Sequence, residues 1–497
     1  MYPLMLRRLA TAARMHRQSV LRSRPAALPI HRLAAMADAG KPASAYAYRV
    51  PTVCLAPVPA FHPRLQSPAM TGLLRPVTAL LMAASILLMG NGLLGILLPV
   101  RADLEHFSSV EIGFMGSAHY LGLVAGCVLC PLVIGRVGHI RAFVAFTASA
   151  TITPLLHAIW PDPIAWTALR ALNGICFAGL FMGIESWLTA SSTLETRGRV
   201  LAAYTFLNFT VVIAGMQMTG LADPRGFELF SLVAILYSLA AVPVALTATT
   251  APSPPRSARL RLGWLFEVSP AAVVGCSFAG LANGAFWSLA PLYGKGAGLS
   301  IAETATLLTV AVLGGASSQW PVGSLSDRIG RRLPLTAVAT GAALAGVGLF
   351  LTSGPGADLK YVLIAVYGTC AFPIYTLCVA HANDLVPKER AVEVSSGLLL
   401  TFSIGAVCGP LIASLAMSLA GTGALFLHSA VAHGLIALTL LVRVGLRPKL
   451  PQEDKEGFVA VPRTTPAVFE LDPRAEPSAA KAAPAEPSVR EPAAQQG

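Results

Sequence analysis

The chain has 497 residues, of which 55% are hydrophobic and 12% are charged. A soluble domain carries about 25% charged residues, and a disordered chain needs low hydrophobicity, so this composition excludes both classes. The formal net charge of +12 arises mainly in residues 1–69, which hold ten Lys/Arg and one acid. The other 428 residues hold 26 basic and 23 acidic residues, and we therefore predict no nucleic-acid partner.

Residues 1–74 form a basic, low-complexity N-terminal extension with no apolar run long enough to span a membrane. Three interpretations remain open. The extension could be a basic cytoplasmic tail, or a transit peptide, which is Arg-rich and poor in acids. The third is a start codon assigned too early, with translation beginning at Met70. We favour Met70 because it precedes the first apolar run by only a few residues.

Twelve apolar runs follow, each long enough to cross a bilayer. Only helices and closed barrels satisfy the backbone in lipid, and barrel strands alternate between apolar and polar residues, which these runs do not. The sequence therefore predicts an all-α membrane protein with twelve transmembrane helices. They lie near 77–100, 111–134, 140–160, 164–188, 199–221, 227–249, 270–292, 301–325, 333–353, 359–382, 391–420 and 423–443.

A proline- and arginine-containing linker at 251–269 divides the runs six and six. We therefore predict two six-helix bundles, at 75–250 and 270–446. Residues 447–497 are rich in Pro, Ala, Glu and Lys, a composition that does not build a core. The sequence predicts a disordered cytoplasmic tail there.

The distribution of Lys and Arg predicts the orientation. The five connections on one side of the predicted membrane contain twelve Lys/Arg, and those on the other side contain four. Loops rich in Lys and Arg stay in the cytoplasm. Both termini are therefore predicted to be cytoplasmic.

The two halves of the chain repeat each other. The sequence G-S-L-S-D-R-I-G-R-R follows the eighth run, and P-L-V-I-G-R-V-G-H-I-R follows the second. Arg136 aligns with Arg328, and Gly138 with Gly330, at a constant offset of 192 residues. A constant offset across six helices indicates a duplicated six-helix unit, an architecture found in transporters.

The loop after the eighth run has a physical interpretation as a latch. Its glycines permit a tight turn, and Asp327 can pair with an arginine or lie at a helix N-terminus, where an anion is favoured. Such a polar cluster can hold two helix bundles together in one state and release them in another. The alternative is a loop that only anchors the cytoplasmic side.

This loop pattern, the twelve spans and the 6+6 duplication resemble the major facilitator superfamily over about residues 72–445. Arg170 and Gly174 are similar to the R-x-x-x-G motif of that family. The strings G-I-E-S-W-L, R-G-R-V-L-A-A-Y and Q-W-P-V-G-S-L-S-D-R-I-G-R-R resemble its YcaD-like branch. The resemblance implies a transporter of the bacterial inner (plasma) membrane, with helices 1, 4, 7 and 10 around a central cavity. It does not supply a substrate.

The sequence departs from the family pattern at several positions. Gly135 stands where the family commonly has Asp, and Pro131 stands where it has Gly, so the first-half latch should be weaker unless Glu185 supplies the charge. Residues 215–220 lack the proline of the antiporter motif, which argues against a simple drug/proton antiporter. The expected cytoplasmic gate consists of Arg136, Gly138, Arg141, Glu185, Gly323, Asp327, Arg328, Gly330, Arg331 and Arg332.

Polar side chains inside spans identify the expected substrate cavity, because a central charge costs about 2.5–3.5 kcal/mol to insert. Arg170 could bind an anionic group or take part in a proton-linked rearrangement, or it could be a structural partner of backbone carbonyls. His119 could titrate near neutral pH or be a core residue. The others could equally be packing residues. The predicted cavity set is Asn91, His119, Arg170, Asn173, Asn283, Trp287, Gln319, Tyr367 and Tyr375.

No Asp or Glu lies deep in any predicted span. Proton coupling would therefore rest on His119, on Glu185 or on neither, and the substrate should be neutral or anionic. We expect a secondary transporter that works by alternating access, with or without proton coupling. A facilitator and a non-transporting sensor that reuses the fold are the alternatives.

No catalytic residue, cofactor or metal site is predicted, because no nucleophile motif or metal cluster is present. The missing P-loop also excludes an ATP-driven pump of that kind. The expected partners are a small-molecule solute, the lipid bilayer and, if transport is coupled, a proton. We expect a monomer.

Overall fold

A computed structural model describes residues 77–193, 195–246, 261–354, 356, 358–444 and 457–474. All of them belong to a unit that begins at Ser67. The predicted extension 1–74 with Met70, residues 251–260 of the linker, and tail residues 447–456 and 475–497 lie outside the described part. The described part of the linker contains a short helix, Leu262–Val268.

Twelve helices in the described ranges are long and apolar enough to cross a membrane, as the sequence predicted. Their ends differ from the predicted ends by no more than four residues. They are α1 (Thr78–Leu104), α2 (Ser109–Val137), α3 (His139–Ile159), α4 (Pro163–Ala190), α5 (Arg197–Gln217), α6 (Glu228–Ala245), α7 (Pro270–Gly296), α8 (Ile301–Ile329), α9 (Arg332–Leu351), α10 (Leu359–Asn383), α11 (Ala391–Ala420) and α12 (Ala424–Val444).

The two halves pair their helices in the same way, which confirms the predicted 6+6 fold. In the first bundle, α1 packs on α5 and α6, α2 on α4, and α3 on α4 and α6. In the second, α7 packs on α11 and α12, α8 on α10, and α9 on α10 and α12. In these pairings each helix therefore has the neighbours of the helix six positions away in the chain order.

The duplication extends to the helix ends. Ser108 begins α2 with a capping box to Glu111, and Ser300 begins α8 with the same box to Glu303. Each box satisfies two backbone N–H donors at a helix N-terminus. Gly138 and Gly330 end α2 and α8 with φ of 84° and 96°, a conformation that glycine adopts without steric cost.

The membrane end where α2 meets α3 and α8 meets α9 is called here the arginine end, and we predict that it is cytoplasmic. At the opposite end the two bundles touch directly. Lys295 pairs with Asp103, and the amide of Gln217 donates to the Thr309 hydroxyl at 2.8 Å. Helices α2 and α11 pack closely through Gly113 and Ser414. These contacts close the opposite end.

The structure corrects the predicted disorder of the tail over residues 457–474. This stretch packs against the helices and contains a 3₁₀ helix, Pro466–Leu471. Val468, Phe469 and Leu471 are buried. The composition of the whole tail concealed this short apolar stretch, because it lacks the periodicity of a membrane span or an amphipathic helix.

Replacing Gly280 with alanine is expected to destabilise the protein by about 1–3 kcal/mol through overpacking. A β-carbon at Gly280 would overlap the backbone carbonyl of Phe402, where α7 meets α11. A β-carbon at Gly434 in α12 meets nothing within 4 Å, so Gly434→Ala is the matched control. Thermal unfolding in detergent measures both variants. Equal midpoints for the two would contradict this account of the packing.

Candidate functional site

A cavity of about 270 Å³ lies between the two bundles. Its wall includes side chains from four helices of each bundle and from tail residues 460–464. Six predicted cavity residues contribute to it: Asn91, His119, Arg170, Asn283, Trp287 and Gln319. The polar positions chosen from the sequence therefore converge from five different helices on one space.

Three residues predicted for the cavity do not line it. Asn173 is fully buried and donates to the Thr153 hydroxyl at 3.2 Å. Tyr367 packs among Phe286, Phe426 and His433. Tyr375 packs on Phe402. In this conformation the two tyrosines are internal packing residues, and Asn173 is a buried, hydrogen-bonded residue behind the wall.

Arg170 brings a guanidinium to the cavity wall. Its Nη1 donates to the Asn173 side-chain oxygen at 3.3 Å, so Asn173 acts on the cavity by positioning Arg170. No Asp or Glu is among the described residues that line the cavity. The wall therefore has a positive charge without a carboxylate to compensate it.

His119 lies beside Arg170 in the wall of the cavity. Its ring is 5.7 Å from that of Tyr120 and 6.5 Å from that of Phe177, in edge-on geometry. Within the described ranges, its Nδ1 has no hydrogen-bond partner. This nitrogen is buried as well as unpartnered, so a solute or a water molecule reaches it only if the surrounding side chains move.

The second bundle supplies an aromatic and amide surface. The rings of Trp287 and Phe372 stack with centroids 5.9 Å apart, and Phe402 lies on the same wall. The Thr376 hydroxyl donates to Gln319 Oε1 at 3.0 Å. Sequence reasoning missed Phe372 and Phe402, since an apolar side chain in an apolar helix has no pattern that marks it as cavity-facing.

The predicted gate loop of the second half forms a cluster within one bundle. Arg331 Nε donates to Asp384 at 2.8 Å, and Arg331 Nη1 donates to the Ser326 hydroxyl at 2.9 Å. Arg331 also pairs with Asp327. These residues belong to the ends of α8, α9 and α10. The cluster therefore joins three helices of the second bundle, whereas the sequence suggested a latch between the two bundles.

Glu185 does not supply the missing charge of the first-half loop. Its carboxylate is fully buried and accepts from the Tyr204 hydroxyl at 3.3 Å. Thr464 and Thr465 of the tail also donate to it. Arg136 and Arg141 are exposed, and no ion pair joins either of them to Glu185 in the described part of the chain.

Arg463 of the tail is a cavity residue that the sequence did not identify. Its Nη1 donates to Asn283 Oδ1 at 3.3 Å, and its guanidinium lies 5.3 Å from the Phe402 ring centroid. An aromatic face within about 6 Å attracts a cation. Burial lowers the pKa of Arg463 from its ordinary value. A second guanidinium therefore reaches the cavity from outside the helices.

The sequence model of the family described as Major Facilitator Superfamily matches residues 80–398 of this chain. The chain belongs to the major facilitator superfamily. This match and the twelve apolar helices identify it as a multi-pass inner-membrane transporter protein and not an enzyme.

The relatives of this superfamily member support its predicted branch. It is 27% identical over 390 residues to the uncharacterized MFS-type transporter YcaD of Escherichia coli O7:K1, covering 76% of this chain and 97% of the relative. It is 26% identical over 381 residues to YcaD of Shigella flexneri, with the same coverage.

Two solved superfamily structures share the fold. One is a bacterial homolog of the human lysosomal transporter Spinster in an inward-facing and occupied conformation, with a TM-score of 0.60 and 16% identity. It covers 76% of this chain and 97% of that one. The nucleoside transporter NupG aligns with a TM-score of 0.59 and 15% identity, over 76% of this chain and 100% of that one.

Proposed function

We propose that this protein is a secondary transporter that moves a small organic solute through the central cavity by alternating access. The observation that carries the proposal is the position of the cavity. It lies at the interface of the two repeats, where both contribute to its wall. Solute sites of transporters built from repeats lie at this interface, and the bundles rock around them.

The contacts at the opposite end support a bundle interface that can open. The Lys295–Asp103 pair is partly exposed, and exposed pairs contribute only about 0–1 kcal/mol. The bundles also meet there through the Gln217–Thr309 hydrogen bond and through small residues of α2 that pack against α11 and α7, such as Gly116. Separating the bundles at this end therefore leaves neither charged side chain of the Lys295–Asp103 pair buried without a partner, because both are partly exposed.

The charge of the cavity favours an anionic solute over a cationic one. A buried guanidinium is stabilised when a carboxylate or phosphate forms charge-assisted hydrogen bonds with it. Arg170 supplies such a guanidinium at the cavity wall. No acidic residue of the described wall competes with an anionic solute for it. The volume of about 270 Å³ suits a small ligand. A small neutral solute is the second choice.

An uptake screen on purified protein in liposomes is expected to give saturable uptake of at least one small organic anion. The panel contains size-matched anionic, neutral and cationic solutes, with and without an imposed proton gradient. Uptake that follows the gradient supports coupling through His119 or Glu185. Gradient-independent uptake makes the protein a facilitator and excludes coupling at both residues.

Two adjacent residues supply the control for the screen. Gln319 lines the cavity, whereas Trp320 is 78% exposed. Gln319→Ala should lower the uptake rate, and Trp320→Ala should leave it unchanged. Specific binding of a solute without flux of any solute would refute transport and favour a sensor.

A further inference from the structure

Tail residues 457–474, called here the plug, lie in the mouth of the cavity at the arginine end. The two ends of the plug lie next to each other, because Arg474 Nη1 donates to the Gly457 carbonyl at 3.2 Å. Between these ends, residues 460–464 form part of the cavity wall. A chain segment that returns to its starting point after reaching the cavity has the shape of a stopper.

The plug binds the second bundle at two depths. Near the surface, the Phe458 backbone N–H donates to both oxygens of Asp327 at 3.1 Å, and the Phe458 ring lies directly against Gly323. At the cavity, Arg463 reaches Asn283 and the face of Phe402. Two residues of the second-half gate motif, Asp327 and Gly323, therefore contact a segment of the same chain.

The plug binds the first bundle through a different set of contacts. The hydroxyls of Thr464 and Thr465 donate to the two oxygens of Glu185. Ala467 packs in a small cluster with Ile134, Ala142 and Met182. Pro473 lies 3.6 Å from the position of a β-carbon at Gly198.

The match between plug and mouth is chemical as well as steric. A fully buried carboxylate needs hydrogen-bond donors, and two adjacent threonines supply one to each oxygen of Glu185. The apolar side chains of Val468, Phe469 and Leu471 are buried in the same place. At the opposite end the bundles touch each other, whereas at the arginine end the plug lies between α4 and α11 and contacts both.

We propose that the cavity mouth is a peptide-binding site whose ligand is the plug, and that the seated plug holds the two bundles closed at the arginine end. A solute can pass this end only after the plug has left. This inference rests on the proposed transport function for its consequence, but the seating of the plug is independent of transport. The alternative is that residues 457–474 are a permanent part of the wall.

Trypsin cleavage of the full chain in lipid nanodiscs tests the seating. The bond after Arg463 lies inside the mouth, so it should be cleaved slowly in the wild type. The double variant Thr464→Val, Thr465→Val removes both hydroxyls while keeping the side-chain shape. Mass spectrometry should show at least tenfold faster cleavage after Arg463 in this variant.

The matched control is Thr210→Val, Thr439→Val. Both of these hydroxyls are exposed and donate to the carbonyl four residues earlier in their own helix. This control should cleave at the wild-type rate. An unchanged rate in the plug variant, or an equal increase in the control, would overturn the seating of the plug on Glu185.

Hydrogen–deuterium exchange tests the closure without any solute. Backbone amides around Glu185 in α4 and around Thr376 in α10 should exchange faster in the plug variant. Faster cleavage after Arg463 without faster exchange at the mouth would refute closure and identify a peripheral tail. If the screen has found a solute, the plug variant should take it up at least threefold faster. An unchanged uptake rate would overturn the gating role alone.

Discussion

Replacing Arg331 with alanine is expected to lower the free energy of unfolding by about 3–5 kcal/mol, the cost of removing one partner of a buried ion pair. The side chains of Arg331 and Asp384 are each 2% exposed. Arg331 joins Asp384 at the end of α10 to Ser326 and Asp327 at the end of α8. Without it, the buried carboxylate of Asp384 loses this ion pair.

Thermal or denaturant unfolding in detergent measures this effect. Arg136→Ala is the matched control, since Arg136 is an exposed arginine of the corresponding loop in the first half, and it should change stability by less than about 0.5 kcal/mol. The double variant Arg331→Met, Asp384→Leu should recover most of the loss, because apolar replacement of a buried pair is often neutral. A loss in Arg331→Ala no larger than the control would refute the structural role of the cluster.

Replacing Arg170 with alanine is expected to reduce uptake of an anionic solute at least 100-fold. A hydrogen bond to a charged group contributes about 1.5–3 kcal/mol, and each 1.4 kcal/mol corresponds to a factor of ten. Two such bonds from one guanidinium therefore account for the expected loss. The reduction should be largest for anionic solutes and small for neutral ones.

Initial uptake rates of Arg170→Ala and Arg170→Lys at several solute concentrations provide the measurement. Lysine keeps the charge but loses the planar fork of donors, so Arg170→Lys should retain part of the activity. Asn173→Ala should give an intermediate loss, because Asn173 accepts the 3.3 Å hydrogen bond from Arg170. Equal losses for all solutes, together with a fall in the unfolding midpoint, would show that Arg170 is a structural residue.

The polar cavity residues could be predicted only in part. Arg170, Asn91 and Asn283 stand out because polar groups are costly in lipid. The sequence could not decide between Tyr367 and Phe372, since α10 is apolar on all sides and much of it is buried, as in the run Ile374–Asn383. A helix that is hydrophobic all round has no periodic pattern to reveal which face meets a cavity.

The sequence by itself determined the twelve helices, their division into two halves and the offset of 192 residues, because the bilayer leaves the backbone few alternatives. Only the tertiary structure decided that Arg331 pairs with Asp384, 53 residues away, and that Glu185 accepts from Thr464, 279 residues away. It also brought a tail that composition assigned to disorder into the cavity mouth. Such contacts depend on the shape and charge of a surface that exists only after the two bundles have packed.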